Sequence, residues 1–222
     1  KLLFFLNFLL IFSSILPAQD KFRIFPYLQN PDIDAITILW FSEENSPGLL
    51  SWWKKGTATK TFVNSTPVPA EALKYSLWED STFFEGQAPS APFLHRIRIE
   101  NLDPSSIYEY EVAQGTETFS SSFHTGPDGN APVRFIVYGD SETEPESTGK
   151  FTTWVDPVND SVRAYLTDQT TGYKNNLEVI RSREPDLVFI AGDLVETGGE
   201  QRDWDEFWRH NTGSSCELSL AG

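Results

Sequence analysis

Between residues 21 and 125, short runs of alternating apolar and polar residues are broken by turn residues, the pattern of an antiparallel β-sandwich. Ile36, Ile38 and Trp40 alternate with Ala35, Thr37 and Leu39, so one face of a strand reaches a core. Residues 49–53 and 93–99 read as further strands, the second with His95, Ile97 and Ile99 opposite Leu94, Arg96 and Arg98. A last strand over 119–124 closes near Thr125-Gly126-Pro127. After the polar linker Asp128-Gly129-Asn130-Ala131-Pro132 the period changes. Residues 133–138 are apolar apart from Arg134, 175–184 have helical spacing through Leu177 and Ile180, and 187–191 are continuously apolar. This β, α, β order suits a parallel sheet, and a right-handed crossover sets the two strands side by side. Asn175 and Pro185 are the expected helix boundaries. Residues 141–174 read as a long polar excursion rich in Glu, Thr and Asp, of the kind that is functional or mobile.

Ahead of the sandwich, Lys1 precedes an apolar run from Leu2 to Phe12 and the small residue Ala18. One cation, an apolar run and a small residue at a cleavage position mark residues 1–18 as a secretory signal peptide. The expectation is therefore an exported protein (periplasmic, cell-surface or extracellular) with no stable membrane span after cleavage. The remainder divides into a sandwich over 21–126 and a second part over 133–222. Two parallel strands and two helices cannot bury both faces of a layer, so the second part reads as an incomplete α/β domain.

With 39% hydrophobic residues, 7 Trp, 7 Tyr and 17 Phe, the chain can build cores, which argues against wholesale disorder. Seventeen Lys and Arg oppose 32 Asp and Glu, and the formal charge of -15 repels nucleic acid and anionic membranes. A single cysteine, Cys216, excludes an intrachain disulfide and a cysteine-framed metal site. Any metal must take carboxylate, imidazole or amide ligands. The two apolar strands both end in Gly-Asp, at Gly139-Asp140 and Gly192-Asp193. Ligands of open α/β sheets bind beyond the carboxyl ends of the strands, and neighbouring strands lie about 4.8 Å apart. Two carboxylates that close call for a bound cation or a shared proton. Either aspartate alone is ordinary turn chemistry. Their equivalent positions point to a site.

Two resemblances add to this reading. The run Leu102-Asp103-Pro104-Ser105-Ser106-Ile107-Tyr108-Glu109-Tyr110 resembles the tyrosine corner of fibronectin type III domains. The strand ending in Gly139-Asp140, with Pro185-Asp186-Leu187-Val188-Phe189-Ile190-Ala191-Gly192-Asp193, resembles the first two blocks of the calcineurin-like metallophosphoesterases. A fibronectin-like module ahead of them, and Trp204-Asp205-Glu206-Phe207-Trp208 after, are similar to the purple acid phosphatase branch. The resemblance implies hydrolysis of a small-molecule phosphate monoester by a metal-activated hydroxide. Asp140 would ligate the first metal and Asp193 would bridge two, which would be divalent or trivalent ions of zinc, iron or manganese.

Departures from the family pattern limit what carries over. Purple members place Tyr where this chain has Glu196, so no tyrosinate-bound ferric colour is expected, and Glu142 stands where relatives have His or Gly. Both glutamates are further candidate ligands, against the plainer reading of solvated acids. The later Asn-His and histidine blocks are not found after Asp193, so the chain is expected to be an inactive fragment, and residues 211–222 show no continuation of the family. His95 and His124 fall on sandwich strands, and His210 is placed at the C-terminal end of a helix whose apolar face is Trp204, Phe207 and Trp208. A reading of another class is a secreted adhesion or carbohydrate-contacting protein that binds through the sandwich, with Trp52 and Trp53 as candidates. A strand sets those two rings on opposite faces, one toward the core and one toward the surface.

Overall fold

A computed structural model describes residues 21–141, 143–150, 152–156, 160–165 and 169–212. Two four-stranded sheets account for the first half. One runs in the order β1 (Phe22–Gln29), β2 (Ile36–Ser42), β6 (Phe93–Ile99), β5 (Val68–Pro69), and the other β4 (Thr61–Asn64), β3 (Leu49–Lys54), β7 (Ile107–Gln114), β8 (Glu117–His124). Their pairings are antiparallel, and the sheets face each other as a β-sandwich. Strand β7 shows why: Tyr108, Tyr110, Val112 and Gln114 are buried, and the residues between them are only partly so. Ile38 and Trp40 of β2, Leu50 of β3, Ile99 of β6 and Phe123 of β8 fill the space between the sheets. Each fully buried side chain of that size stabilises by roughly 1.5–3 kcal/mol relative to exposure.

Polar groups in this core are paired. Trp40 Nε1 donates to Gln114 Oε1 at 3.1 Å. A Cβ at Gly48 would lie 2.5 Å from that oxygen and 2.8 Å from the Trp40 ring, so only glycine fits there. At the base of β7 the Asp103 N–H donates to Tyr108 Oη at 3.0 Å, the tyrosine-corner bond expected from Leu102-Asp103-Pro104. Trp52 packs on the core, whereas Trp53 faces outward beneath Lys60, 3.9 Å from the ring centre, and donates to Glu109 at 2.6 Å.

Helix α1 (Leu77–Phe83) begins with a capping box between Ser76 and Glu79. Beyond the sandwich, β9 (Phe135–Tyr138) and β12 (Leu187–Ile190) pair in parallel as a two-stranded sheet. Helix α2 (Gln169–Ser182) crosses between them and sets Tyr173, Leu177 and Ile180 against Ile136, Tyr138 and Val188. The opposite face, with Phe135, Val137 and Phe189, is exposed. The last helix, α3 (Gln201–Asn211), docks on the outer face of the first sheet. Trp208 packs on Tyr27 of β1 with ring centres 4.8 Å apart. Asp205 accepts from Arg23 of β1, and Glu79 of the α1 capping box accepts the Arg202 N–H at 3.1 Å. Among the described residues no helix is long and apolar enough to cross a membrane.

Three sequence expectations need correction. Helix α2 starts at Gln169, not Asn175, because Tyr173 extends the apolar stripe one turn earlier. The polar excursion is not a plain loop: β10 (Thr152–Val155) and β11 (Val162–Tyr165) form an antiparallel hairpin within it. Strand β2 is buried along its whole length rather than on one face, Leu39 and Phe41 included. It lies inside the sheet between β1 and β6, and α3 covers the outer side of β1. The signal-peptide segment and the tail from 213 onward lie outside the described residues.

Candidate functional site

Gly139-Asp140 and Gly192-Asp193 emerge side by side from β9 and β12, which run in register from Phe135↔Leu187 to Tyr138↔Ile190. Backbone bonds continue past the strand ends, from Ala191 N to Tyr138 O at 2.7 Å and from Asp140 N to Gly192 O at 3.3 Å. Further on, Ser141 Oγ donates to Leu194 O at 2.8 Å, and Thr143 bridges Val195 in parallel. The two segments are thus laced together on both sides of the aspartates. Both aspartates sit in the left-handed region, Asp140 at φ 55° and Asp193 at φ 49°, which residues other than glycine seldom adopt but aspartate enters more readily than most. Both are exposed. Neither carboxylate accepts a hydrogen bond from any described residue.

That last fact separates two readings of Gly-Asp. A turn aspartate commonly accepts a hydrogen bond at its carboxylate from a nearby backbone N–H, although aspartate also tolerates the left-handed region without one. These two make none. The strain lies in their backbones, and their carboxylates have no partner among the described residues.

Of the remaining candidates only Glu196 is described, and it pairs elsewhere. Glu142 lies outside the described residues. Glu196 meets Arg163 at 3.4 Å, and Arg163 also holds Glu144 at 3.3 Å and Asp156 at 2.8 Å. Among the described residues no three His, Cys, Asp or Glu side chains are grouped closely enough to hold a metal ion. Two unspent carboxylates suit the first positions of a hard-cation site, but they fall short of the donor set of a dinuclear centre. No catalytic step through a metal follows from these residues alone.

The histidines keep structural places. His95 is fully buried, stacked on Trp40 with ring centres 4.8 Å apart, and held between Ser42 at 2.8 Å and Ser65 at 2.7 Å. Ser42 Oγ donates to Glu44 O and so accepts from a proton on Nε2, while the single Ser65 hydroxyl proton is shared between Nδ1 of the neutral ring and Gly48 O. Burial pushes its pKa down to about 4. His124 ends β8 at the surface. His210 lies at the C-terminal end of α3 as expected, but it is buried and bonded to Glu206 at 2.9 Å.

A second acidic group was not legible in the sequence. Glu144, Asp156, Asp203 and Glu206 are all buried around the excursion and α3. Burial pushes Glu144 up to about 7 against the opposing pull of Arg163, with Glu196 and Glu146 adding to the rise. Burial likewise pushes Asp203 up to about 7, opposed by the Thr197 N–H and reinforced by Glu200, Glu146 and Glu144. Their spacing gives no signal, because the excursion and α3 meet only in the folded chain.

No family profile and no curated protein matches this chain. Similarity to solved structures is distant. A computationally redesigned β-sandwich protein shares 16% identity over 47% of this chain and 93% of its own, with a TM-score of 0.31. The sensor domain of the anti-sigma factor RsgI4 of Pseudobacteroides cellulosolvens shares 10% over 50% of this chain and all of its own (100%), with a TM-score of 0.32. The third fibronectin III domain of a human protein shares 11% over 48% of this chain and 83% of its own, at 0.25. At such scores the likeness assigns neither activity nor ligand to this chain.

Proposed function

We propose that this chain belongs to an exported, metal-dependent phosphoesterase acting on a small-molecule phosphate monoester. In this reading Asp140 and Asp193 ligate the metal ions, and the sandwich is a fibronectin type III-like module. The carrying observation is the pair itself: two aspartates at the ends of neighbouring parallel strands, both in the left-handed region and neither bonded through its carboxylate to a described residue. Strain at two equivalent positions, with no local carboxylate bond among the described residues to account for it, supports a functional reading. The tyrosine corner at Tyr108 and the strand order of the two sheets support the module assignment.

The test is hydrolysis of p-nitrophenyl phosphate by the product of the gene's complete reading frame, with zinc, iron or manganese supplied in turn. Metal-dependent turnover that disappears in Asp193→Asn is the expected result; activity indifferent to metal and to that substitution would overturn the reading. Residues 1–222 by themselves, with Asp140 and Asp193 as the unpaired candidate carboxylates among the described residues, are expected to bind a divalent ion weakly and to show no turnover. Titration calorimetry with zinc and manganese reads the binding.

A further inference from the structure

A cleft of about 310 Å³ opens where the sandwich meets α3, between the turn at Ala72-Leu73-Lys74 and the Gly198-Gly199 turn, with Trp204 and Trp208 along one side. Its size is at the lower end for small-molecule sites, and junctions between structural units are where such sites concentrate. The polar groups around it are unevenly spent. Trp204 Nε1 donates to Gly198 O at 3.0 Å, which fixes the orientation of that indole. By contrast, Trp208 Nε1–H, the Lys74 ammonium and the backbone N–H groups of Gly198 and Gly199 donate to nothing among the described residues. A Cβ built at either glycine would meet nothing within 4 Å, so the space above that backbone is open.

The cleft therefore offers unspent donors, one of them a full positive charge in a chain of formal charge -15, beside two half-buried indoles. Glu200 also lines it, and burial, with Glu146 and Glu79, raises its carboxyl pKa against the opposing pull of Arg202. An aromatic ring stacks on an indole, and an oxyanion takes N–H donors and an ammonium. We propose that this cleft binds a small planar aromatic ring carrying an oxyanion, with Trp204 as the stacking surface and Lys74 as the charge partner. The site uses neither Asp140 nor Asp193 and does not depend on the phosphoesterase reading.

Benzenesulfonate and its uncharged isostere benzenesulfonamide are the probes, titrated into the protein in EDTA and followed by tryptophan fluorescence and by protein NMR. Saturable binding of the sulfonate is expected, weaker for the sulfonamide and weaker at high salt. Lys74→Ala, an exposed position, should reduce sulfonate affinity about fivefold and leave the sulfonamide unchanged. Trp204→Ala should weaken both, and Asp193→Asn neither. Sulfonate binding that is absent, or equal to that of the sulfonamide and indifferent to Lys74→Ala, overturns the assignment. Because metal is excluded, neither outcome bears on the phosphatase assay.

Discussion

Arg23 of β1 and Asp205 of α3, 182 residues apart in sequence, form a two-pronged ion pair, Nε to Oδ1 at 3.2 Å and Nη2 to Oδ2 at 2.7 Å. Tyr75 bonds to the same carboxylate, and Glu43 takes the remaining Nη1 at 3.2 Å. Burial would lower the Arg23 pKa, but Asp205, Tyr75 and Glu43 more than offset it, so the guanidinium stays charged. Breaking a buried pair strands the surviving charge. Asp205→Ala should cost about 3 kcal/mol, near the low end for such pairs because Glu43 remains. Denaturant unfolding measures the loss, and hydrogen exchange should rise in α3 while β7 stays protected. An unchanged midpoint would mean that Trp208 on Tyr27 holds the helix without the pair.

His95 gives the sandwich an acid limit. Its pKa in the folded protein is about 4 against an ordinary 6.5, so the unfolded chain binds the proton first. The His95 contribution to stability is therefore level above pH 6.5 and is lost as pH falls from there toward 4, by up to about 3 kcal/mol. His95→Gln should flatten that part of the thermal stability profile. A variant profile parallel to the wild type would assign the acid slope to other groups.

Asp203 works in the opposite sense. Its pKa of about 7 exceeds the ordinary 3.8, so the folded protein holds a proton that the unfolded chain releases, and stability falls as pH rises from about 4 through about 7. Asp203→Asn removes that ionisation and keeps an oxygen for the Thr197 N–H, which Asp203 accepts at 2.8 Å. Relative to wild type, the variant should gain at least about 1.4 kcal/mol between about pH 5 and about pH 8. A constant difference across that range would show that Asp203 is ionised in the folded protein.

What the sequence revealed tracks where local rules decide. Residues 93–99 carry one strand's alternation, and β6 has those bounds. Asp103 of the Leu102-Asp103-Pro104 turn and Tyr108 lie five residues apart, and their bond forms as expected. The paired aspartates follow apolar runs, and those runs do pair in parallel. The β10–β11 hairpin left no such trace, because Val155 and Val162, opposite one another in it, stay exposed and no buried face imposes a period. Nor did the docking of α3, since Arg23 and the Tyr75–Glu79 stretch lie far from it and from each other in the chain. Tyr173 was missed for a different reason: its ring completes the α2 stripe at the i−4 position of Leu177, one turn before the apparent helix start.

The strained aspartates supply the sharpest distinction between a site and a turn. A left-handed residue other than glycine costs on the order of 1 kcal/mol or more, and glycine removes that cost while adding some unfolded-chain entropy. If the carboxylates of Asp140 and Asp193 fastened their own turns, Asp140→Gly and Asp193→Gly would each destabilise by about 1 kcal/mol through the lost bond. Neither carboxylate makes such a bond within the described residues, and both backbones are left-handed. Each glycine variant should therefore match the wild type in stability or exceed it by up to about 1 kcal/mol, and each should abolish the weak binding of manganese read by calorimetry. Destabilised variants that still bind the metal would return both residues to ordinary turn chemistry and remove the principal support for the phosphoesterase reading.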